Sequence, residues 1–267
     1  MTLISVLEPR PAAKVRLICF PAAGANSAIF SAWPDHLYAA EIAVARRETG
    51  VNDYATLVQQ SAEAMQPYIK RSSTPYALFG HSLGALLAYG VADALRNIRT
   101  VQPIGLLLAA ASHPRSSHRQ LGLPLHEWTQ ADVVTYLRRQ GGTPQHVLDN
   151  PVLFNRLLPR LQADLTMLAS YVYTQNNTLD CPIAVFGGLE DEQNPPSQLE
   201  QWKAYTHRSF ALHMFPGNHF FFHNPVTRPA FLNELAAEIT QWLELKTTTA
   251  DEKHMSSAEG KRYVPRF

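Results

Sequence analysis

The sequence predicts an α/β fold, with a mostly parallel central sheet flanked by helices, and three observations predict it. Short apolar runs recur along the chain with helical spacing between them, the pattern of alternating strand and helix. Four of the six runs alternate little between apolar and polar residues, as expected of strands covered on both faces. The third observation is a local one. Gly80-His81-Ser82-Leu83-Gly84 lies between one such run and the helical segment that follows it, where a G-x-S-x-G pattern has the mechanical meaning of a sharp strand-to-helix turn.

In chain order, strands are expected at 15–20, 42–45, 76–79, 104–108, 183–186 and 210–215. Helical spacing covers 54–69, 83–95, 198–205 and 229–245, the last with Pro229 near its start, a position that proline favours. Between 112 and 178 no strand is evident. Residues 131–139 and 152–173 read there as amphipathic helices, broken by Gly141-Gly142-Thr143-Pro144. The expected organisation is a single domain over 1–246, with its core at about 13–111 and 179–246 and a helical lid at about 112–178. From Thr247 onward apolar periodicity is lost, so 247–267 is expected to be a flexible tail.

Composition narrows the function classes. A chain of 267 residues, 46% hydrophobic, can bury a substantial core. Lys and Arg number 23 against 22 Asp and Glu, a net charge of +1, which offers no broad electrostatic footprint for nucleic acid or an anionic membrane. Cys19 and Cys181 each sit in or beside an apolar run and are expected to be unpaired thiols in a reducing compartment. Residues 1–8 lack the basic segment and length of a signal peptide. The longest wholly apolar run, 106–111, is far short of the roughly 18 residues of a membrane span. A cytoplasmic, monomeric protein is expected.

A bare G-x-S-x-G arises by chance in about one chain of this length in ten, so its context carries the argument. At a sharp turn Ser82 projects from the sheet's C-terminal edge, but its hydroxyl is a weak nucleophile until a base removes the proton. The chain must therefore supply an acid and a histidine later, in that order. Gly187-Gly188-Leu189-Glu190-Asp191-Glu192 follows the strand at 183–186. Asp191 is favoured there over Glu190 and Glu192 because of its short reach after Gly188. The loop after 104–108 contains no carboxylate. His219 follows the strand at 210–215 through Pro216-Gly217-Asn218. A metal site built from His213, His219 and His223 is disfavoured, since no H-E-x-x-H or cysteine pair accompanies them. Backbone donors for a developing oxyanion are expected at Leu83, directly after the nucleophile, and at Ala23 in the small-residue loop Pro21-Ala22-Ala23-Gly24-Ala25-Asn26.

Six segments together carry a resemblance. Phe-Pro-Ala-Ala-Gly-Ala at 20–25, Phe-Gly-His-Ser-Leu-Gly-Ala at 79–85 and Gly-Gly-Thr-Pro at 141–144 are three of them. Leu-Pro-Arg-Leu-Gln-Ala-Asp at 158–164, Phe-Gly-Gly-Leu-Glu-Asp at 186–191 and Pro-Gly-Asn-His-Phe-Phe at 216–221 complete the set. The chain resembles the external, type II thioesterases of nonribosomal peptide and polyketide synthases, and within them a siderophore-pathway member. That resemblance implies an α/β-hydrolase fold, a Ser82, Asp191 and His219 triad, and oxyanion amides at Ala23 and Leu83. It also implies a lid that admits the phosphopantetheine arm of a partner carrier domain, with no cofactor of the enzyme's own. Two segments depart from the family pattern. Val44-Ala45-Arg46-Arg47-Glu48 stands where a Pro-Gly-Arg-Glu-like segment is usual, and Gln162 stands where Arg is usual before Ala-Asp. Both bear on substrate or carrier contacts and neither on the triad.

The same residues fit a general esterase or lipase, a chain-releasing cyclase, or a non-catalytic binding protein on the same scaffold. The insertion carries Arg115, Arg119, Arg138, Arg139, Arg156 and Arg160 against Glu127, Asp132, Asp149 and Asp164. This excess suggests a docking face for an acidic carrier, with Arg138 and Arg139 as the pair to test.

Overall fold

The computed structural model describes residues 3–46, 51, 53–117, 128–173 and 178–259. Seven strands form one sheet in the order β1-β3-β2-β4-β5-β6-β7. They are β1 (Leu3–Val6), β2 (Val15–Phe20), β3 (Ala40–Arg46), β4 (Tyr76–His81), β5 (Leu106–Ala109), β6 (Ile183–Gly188) and β7 (Phe210–Phe215). All neighbouring pairs are parallel except β1 and β3, which run antiparallel. The six expected strands are all present, β4 and β6 each running two residues further than the sequence suggested. The edge strand β1 was not anticipated, because four residues before a Pro-rich segment give too short a pattern to distinguish from a leader.

The inner parallel strands, β2 to β6, are buried on both faces, which is why their sequences alternate so little, while the edge strand β7 is half-buried. On one face Ile18, Leu78, Leu106 and Val185 pack under α1 (Tyr54–Lys70) and α2 (Leu83–Asn97). Asp53 starts α1 by accepting a hydrogen bond from Thr56 N at 2.8 Å. On the other face Leu17, Val44, Phe79 and Phe186 pack against Trp33, Phe222 and α8 (Arg228–Glu259). This helix buries Phe231, Leu235, Ile239 and Trp242, a row spaced at four, four and three residues, each worth roughly 2 kcal/mol of hydrophobic burial.

The expected tail begins inside this helix. The α8 backbone continues through 247–259, beyond its apolar face, where the chain has neither Gly nor Pro to stop it before Gly260. Residues 260–267 lie outside the described residues. Loss of apolar periodicity does not by itself end a helix, and the backbone runs on past that point.

Between β5 and β6 lies the helical insertion: α3 (Pro114–Ser117), α4 (Gln130–Gln140), α5 (Gln145–Leu148) and α6 (Pro151–Ala169). A capping box between Thr129 and Asp132 opens α4, and Gly141, at φ 73°, closes it. Asn150 caps α6, with Pro151 in the first turn. The helix stops at Ala169, four residues before the expected end. Val133, Leu137, Leu148, Phe154, Leu161 and Leu165 give the insertion a small core of its own. The expected helix at 198–205 is a short turn, α7 (Pro196–Leu199), followed by a 3₁₀ helix over Glu200–Tyr205.

Candidate active site

The chain leaves β2 to build β3 on one side and returns to build β4 on the other, so the crevice between β2 and β4 is a topological switch point. Open α/β sheets bind ligands beyond the carboxyl ends of their strands at such points. All the residues singled out by sequence follow strand ends on this edge: Ala23 after β2, Ser82 after β4, Asp191 after β6 and His219 after β7.

Ser82 has φ 56° and ψ −121°, a conformation costing a non-glycine residue roughly 1–3 kcal/mol. The surrounding packing holds it there. Ser82 N donates to Ala109 O at 2.8 Å, tying the turn to β5. A Cβ on Gly84 would lie 2.0 Å from Phe20 O, so only glycine lets α2 approach the end of β2. The Ser82 side chain does not cap its own helix. It lines a cavity of about 260 Å³ shared with His219, Ala23, Tyr136, Leu161 and Phe220.

His219 and Asp191 are both buried, and Asp191 Oδ2 lies 2.8 Å from His219 Nδ1. That contact assigns the proton to Nδ1, which donates to the carboxylate and leaves Nε2 as an acceptor. Burial alone would raise the Asp191 pKa. Hydrogen bonds from His219, Asn194 Nδ2 at 2.9 Å and Gln193 N at 3.1 Å outweigh it and hold the carboxyl below its usual value. Glu190 and Glu192 are exposed, and Glu192 pairs with Arg139 at 3.3 Å.

The two expected oxyanion donors flank the crevice. Leu83 is the first residue of α2, so its N–H has no carbonyl within the helix to bond. Ala23 sits in a turn closed by Ala25 N donating to Ala22 O at 3.1 Å. Among the described residues neither the Ala23 nor the Leu83 N–H donates a hydrogen bond.

Two contributors were not found by sequence reasoning. Asn194, fully buried, donates to Asp191 and accepts from Ser112 Oγ at 2.9 Å. His81, the first variable residue of G-x-S-x-G, donates from Nε2 to His219 O at 2.9 Å. Burial first, then the neighbouring His219, push its imidazole well below the ordinary histidine range, so it serves as a neutral donor. Nothing in the sequence marks Asn194. His81 could have been suspected only from its place inside the turn.

Of the three histidines weighed as metal ligands, His213 lies apart from His219 and His223. His213 stacks on Phe186 and bonds Glu238 Oε1 at 2.8 Å on the α8 face. His223 lines the cavity, lowered to about 4 by burial, with Arg228 and His219 adding to the shift. Among the described residues no cluster of His, Cys, Asp and Glu is placed to hold a metal ion. A larger groove, about 510 Å³, lies between α8 and the start of β2 and β3. It is at the opposite end of the sheet and contains none of these residues.

A doubly covered parallel sheet with a strained serine, a buried imidazole–carboxylate pair and free amides at its carboxyl edge has the make-up of a serine hydrolase site. The chain belongs to the thioesterase domain family, whose model matches residues 15–239. It is 34% identical over 220 residues to the gramicidin S biosynthesis protein GrsT of Aneurinibacillus migulanus, covering 79% of this chain and 84% of that protein. Among solved structures, RedJ, a thioesterase from the prodiginine biosynthetic pathway of Streptomyces coelicolor, superposes with a TM-score of 0.77. The two are 32% identical over 85% of this chain and 86% of RedJ. YbtT, a type II thioesterase from the yersiniabactin pathway, has a TM-score of 0.72 at 22% identity, over 91% and 97% of the two chains. That likeness is one of fold. The fold is that of the α/β-hydrolases, as the sequence led us to expect, and the chain is a thioesterase homologous to type II enzymes of peptide and polyketide synthesis.

Proposed function

We propose that this thioesterase hydrolyses acyl or peptidyl groups from the phosphopantetheine arm of carrier domains, clearing stalled chains from a nonribosomal peptide or polyketide assembly line. One observation carries the reading: Ser82, strained at its turn, opens into the same cavity as His219, whose ring is held by Asp191. In this reading Ser82 Oγ attacks the thioester carbonyl carbon while His219 Nε2 takes its proton. Asp191 stabilises the imidazolium that forms. The oxyanion is received by the N–H groups of Ala23 and Leu83. His219 then protonates the departing pantetheine thiol, and water, deprotonated by the same ring, releases the acid from the acyl-enzyme.

The helices between β5 and β6 act as the lid. Their residues Tyr136, Pro144, Val147, Leu157 and Leu161 supply much of the cavity wall, so the acyl group lies against the insertion. At about 260 Å³ the cavity falls just below the usual range for small-molecule sites, roughly 300–1,000 Å³, which favours short acyl groups. The names of GrsT and RedJ support a biosynthetic setting. A siderophore line has the fold likeness to YbtT as its support. The buried free thiols of Cys19 and Cys181 agree with a cytoplasmic enzyme.

The test is a panel of acyl groups loaded on a carrier domain and read by intact mass. Wild-type protein is expected to regenerate free carrier, and Ser82→Ala to retain only trace turnover. Near-normal hydrolysis by that variant overturns the mechanism. A higher kcat/KM for simple oxygen esters than for carrier thioesters would instead make the protein a general esterase.

A further inference from the structure

We propose that Asp164, on insertion helix α6, is a positioning residue for the oxyanion-binding turn, so that the reaction centre is complete only when α6 is seated on it. The inference rests on the reading in which the Ala23 N–H receives the oxyanion. Asp164 is a carboxylate with only 7% of its surface exposed, and its Oδ2 accepts a hydrogen bond from Gly24 N at 2.8 Å, across 140 residues of sequence. Buried carboxylates persist where they are hydrogen-bonded, and one donor here is Gly24, the residue directly after Ala23.

The turn needs such a hold. Its residues, Pro21 to Ala25, have small side chains that grip little, so hydrogen bonds must set the peptide orientations. One is internal, from Ala25 N to Ala22 O at 3.1 Å. Gly24 is the third residue of that turn and has φ +73°, the sign that type II turns require there. The Ala23–Gly24 peptide is the one whose flip separates type I from type II turns. Asp164 accepts from the N–H of that peptide and so selects one orientation. Apolar contacts from the same helix act in parallel. A Cβ on Gly24 would lie 3.3 Å from Leu161 Cδ1 and 3.5 Å from Leu157 Cδ1, and Ala23 packs against both the main core and the core of the insertion. The turn is therefore clamped between the sheet and α6. The Ala23 N–H lies in the preceding peptide, joined to this one at the Ala23 Cα, so holding the Gly24 N–H anchors the backbone that carries the Ala23 amide, and displacement of α6 would free that backbone to move.

The experiment compares Asp164→Ala and Asp164→Asn with wild type on hexanoyl-N-acetylcysteamine, a small thioester, with a hexyl trifluoromethyl ketone as the inhibitor that forms an oxyanion. Asn keeps an acceptor oxygen for Gly24 N and removes the charge. Since losing an oxyanion donor typically costs about 100- to 1,000-fold, a misaimed donor in Asp164→Ala is expected to lower kcat by about 10- to 100-fold with KM within about twofold. The ketone should weaken by the same factor as kcat/KM, and Asp164→Asn should return to within about fivefold of wild type. An unchanged kcat in Asp164→Ala overturns the inference, as does an effect confined to KM, or an Asn variant as impaired as Ala at equal melting temperature. If Asp164→Ala does not fold, hydrogen exchange on the wild-type protein decides. Protection of the Gly24 amide is expected, and exchange at the rate of a free loop amide overturns the inference. Ser82→Ala run alongside separates the two levels: if it stays active the catalytic reading fails, whereas an inactive Ser82→Ala beside a fully active Asp164→Ala removes only the role of α6.

Discussion

Asn194 shows how much of the site depends on a residue with no chemical part in it. Its Nδ2 supplies one of the hydrogen bonds that keep the Asp191 carboxyl below its ordinary pKa, and its Oδ1 is held by Ser112. A carboxyl with a depressed pKa stabilises the fold at any pH above its unfolded value of about 3.9, and that contribution disappears as pH falls through the folded value. Asn194→Ala removes a donor without touching the charge, so it should shrink the depression and shift acid unfolding to higher pH. Loss of a buried hydrogen bond adds roughly 1–3 kcal/mol of destabilisation near neutrality. Circular dichroism followed from pH 6 to 2 checks this, and superimposable acid-unfolding curves for the two proteins would contradict it. Activity is expected to fall about tenfold, since an ill-held Asp191 orients His219 less well.

The contact between β7 and α8 has the opposite pH sense. His213 bonds Glu238, which raises its pKa in spite of partial burial, and Glu234 lies 3.7 Å from its other ring nitrogen. Phe186 covers the ring face. With the folded pKa above the unfolded one, this contact stabilises fully below about pH 6.5 and is lost as pH rises through the folded value. His213→Gln should lower the melting temperature most at pH 5.5 and least at pH 9, and a pH-independent difference would rule out protonation as the cause. Elements such as these differ in how far they can be read from sequence. Strands β2 and β7 were found to the residue, because largely apolar runs bounded by turn residues mark both ends. Strand β1 was missed for want of length, and the end of α8 because an apolar pattern marks only the part of a helix that carries it.

For the molecule as a whole, the candidate site was legible wherever a residue follows a strand end: Ser82, Asp191, His219 and Ala23 all do. His81, Asn194 and Asp164 were not recognised, since their roles exist only through contacts formed by the fold, 138 residues away in the case of His81 and 140 for Asp164. Charge on the insertion was legible in amount and not in arrangement. Arg138 and Arg139, the pair expected to meet a carrier, face Asp149 at 3.6 Å and Glu192 at 3.3 Å. Such exposed pairs add little stability, but they neutralise the patch locally. Arg156 and Arg160 are exposed, one turn apart on α6, and form no ion pair among the described residues. Each directly precedes a leucine that lines the cavity, Leu157 and Leu161. A phosphopantetheine arm carries a phosphodiester anion. If carrier substrates enter there, Arg156→Glu/Arg160→Glu should lower kcat/KM for a carrier-bound acyl group by about tenfold at low salt, and by less as ionic strength rises. The matched N-acetylcysteamine thioester has no phosphate and should lose much less. Equal losses on the two substrates, or a loss insensitive to salt, would place carrier docking on another face of the insertion.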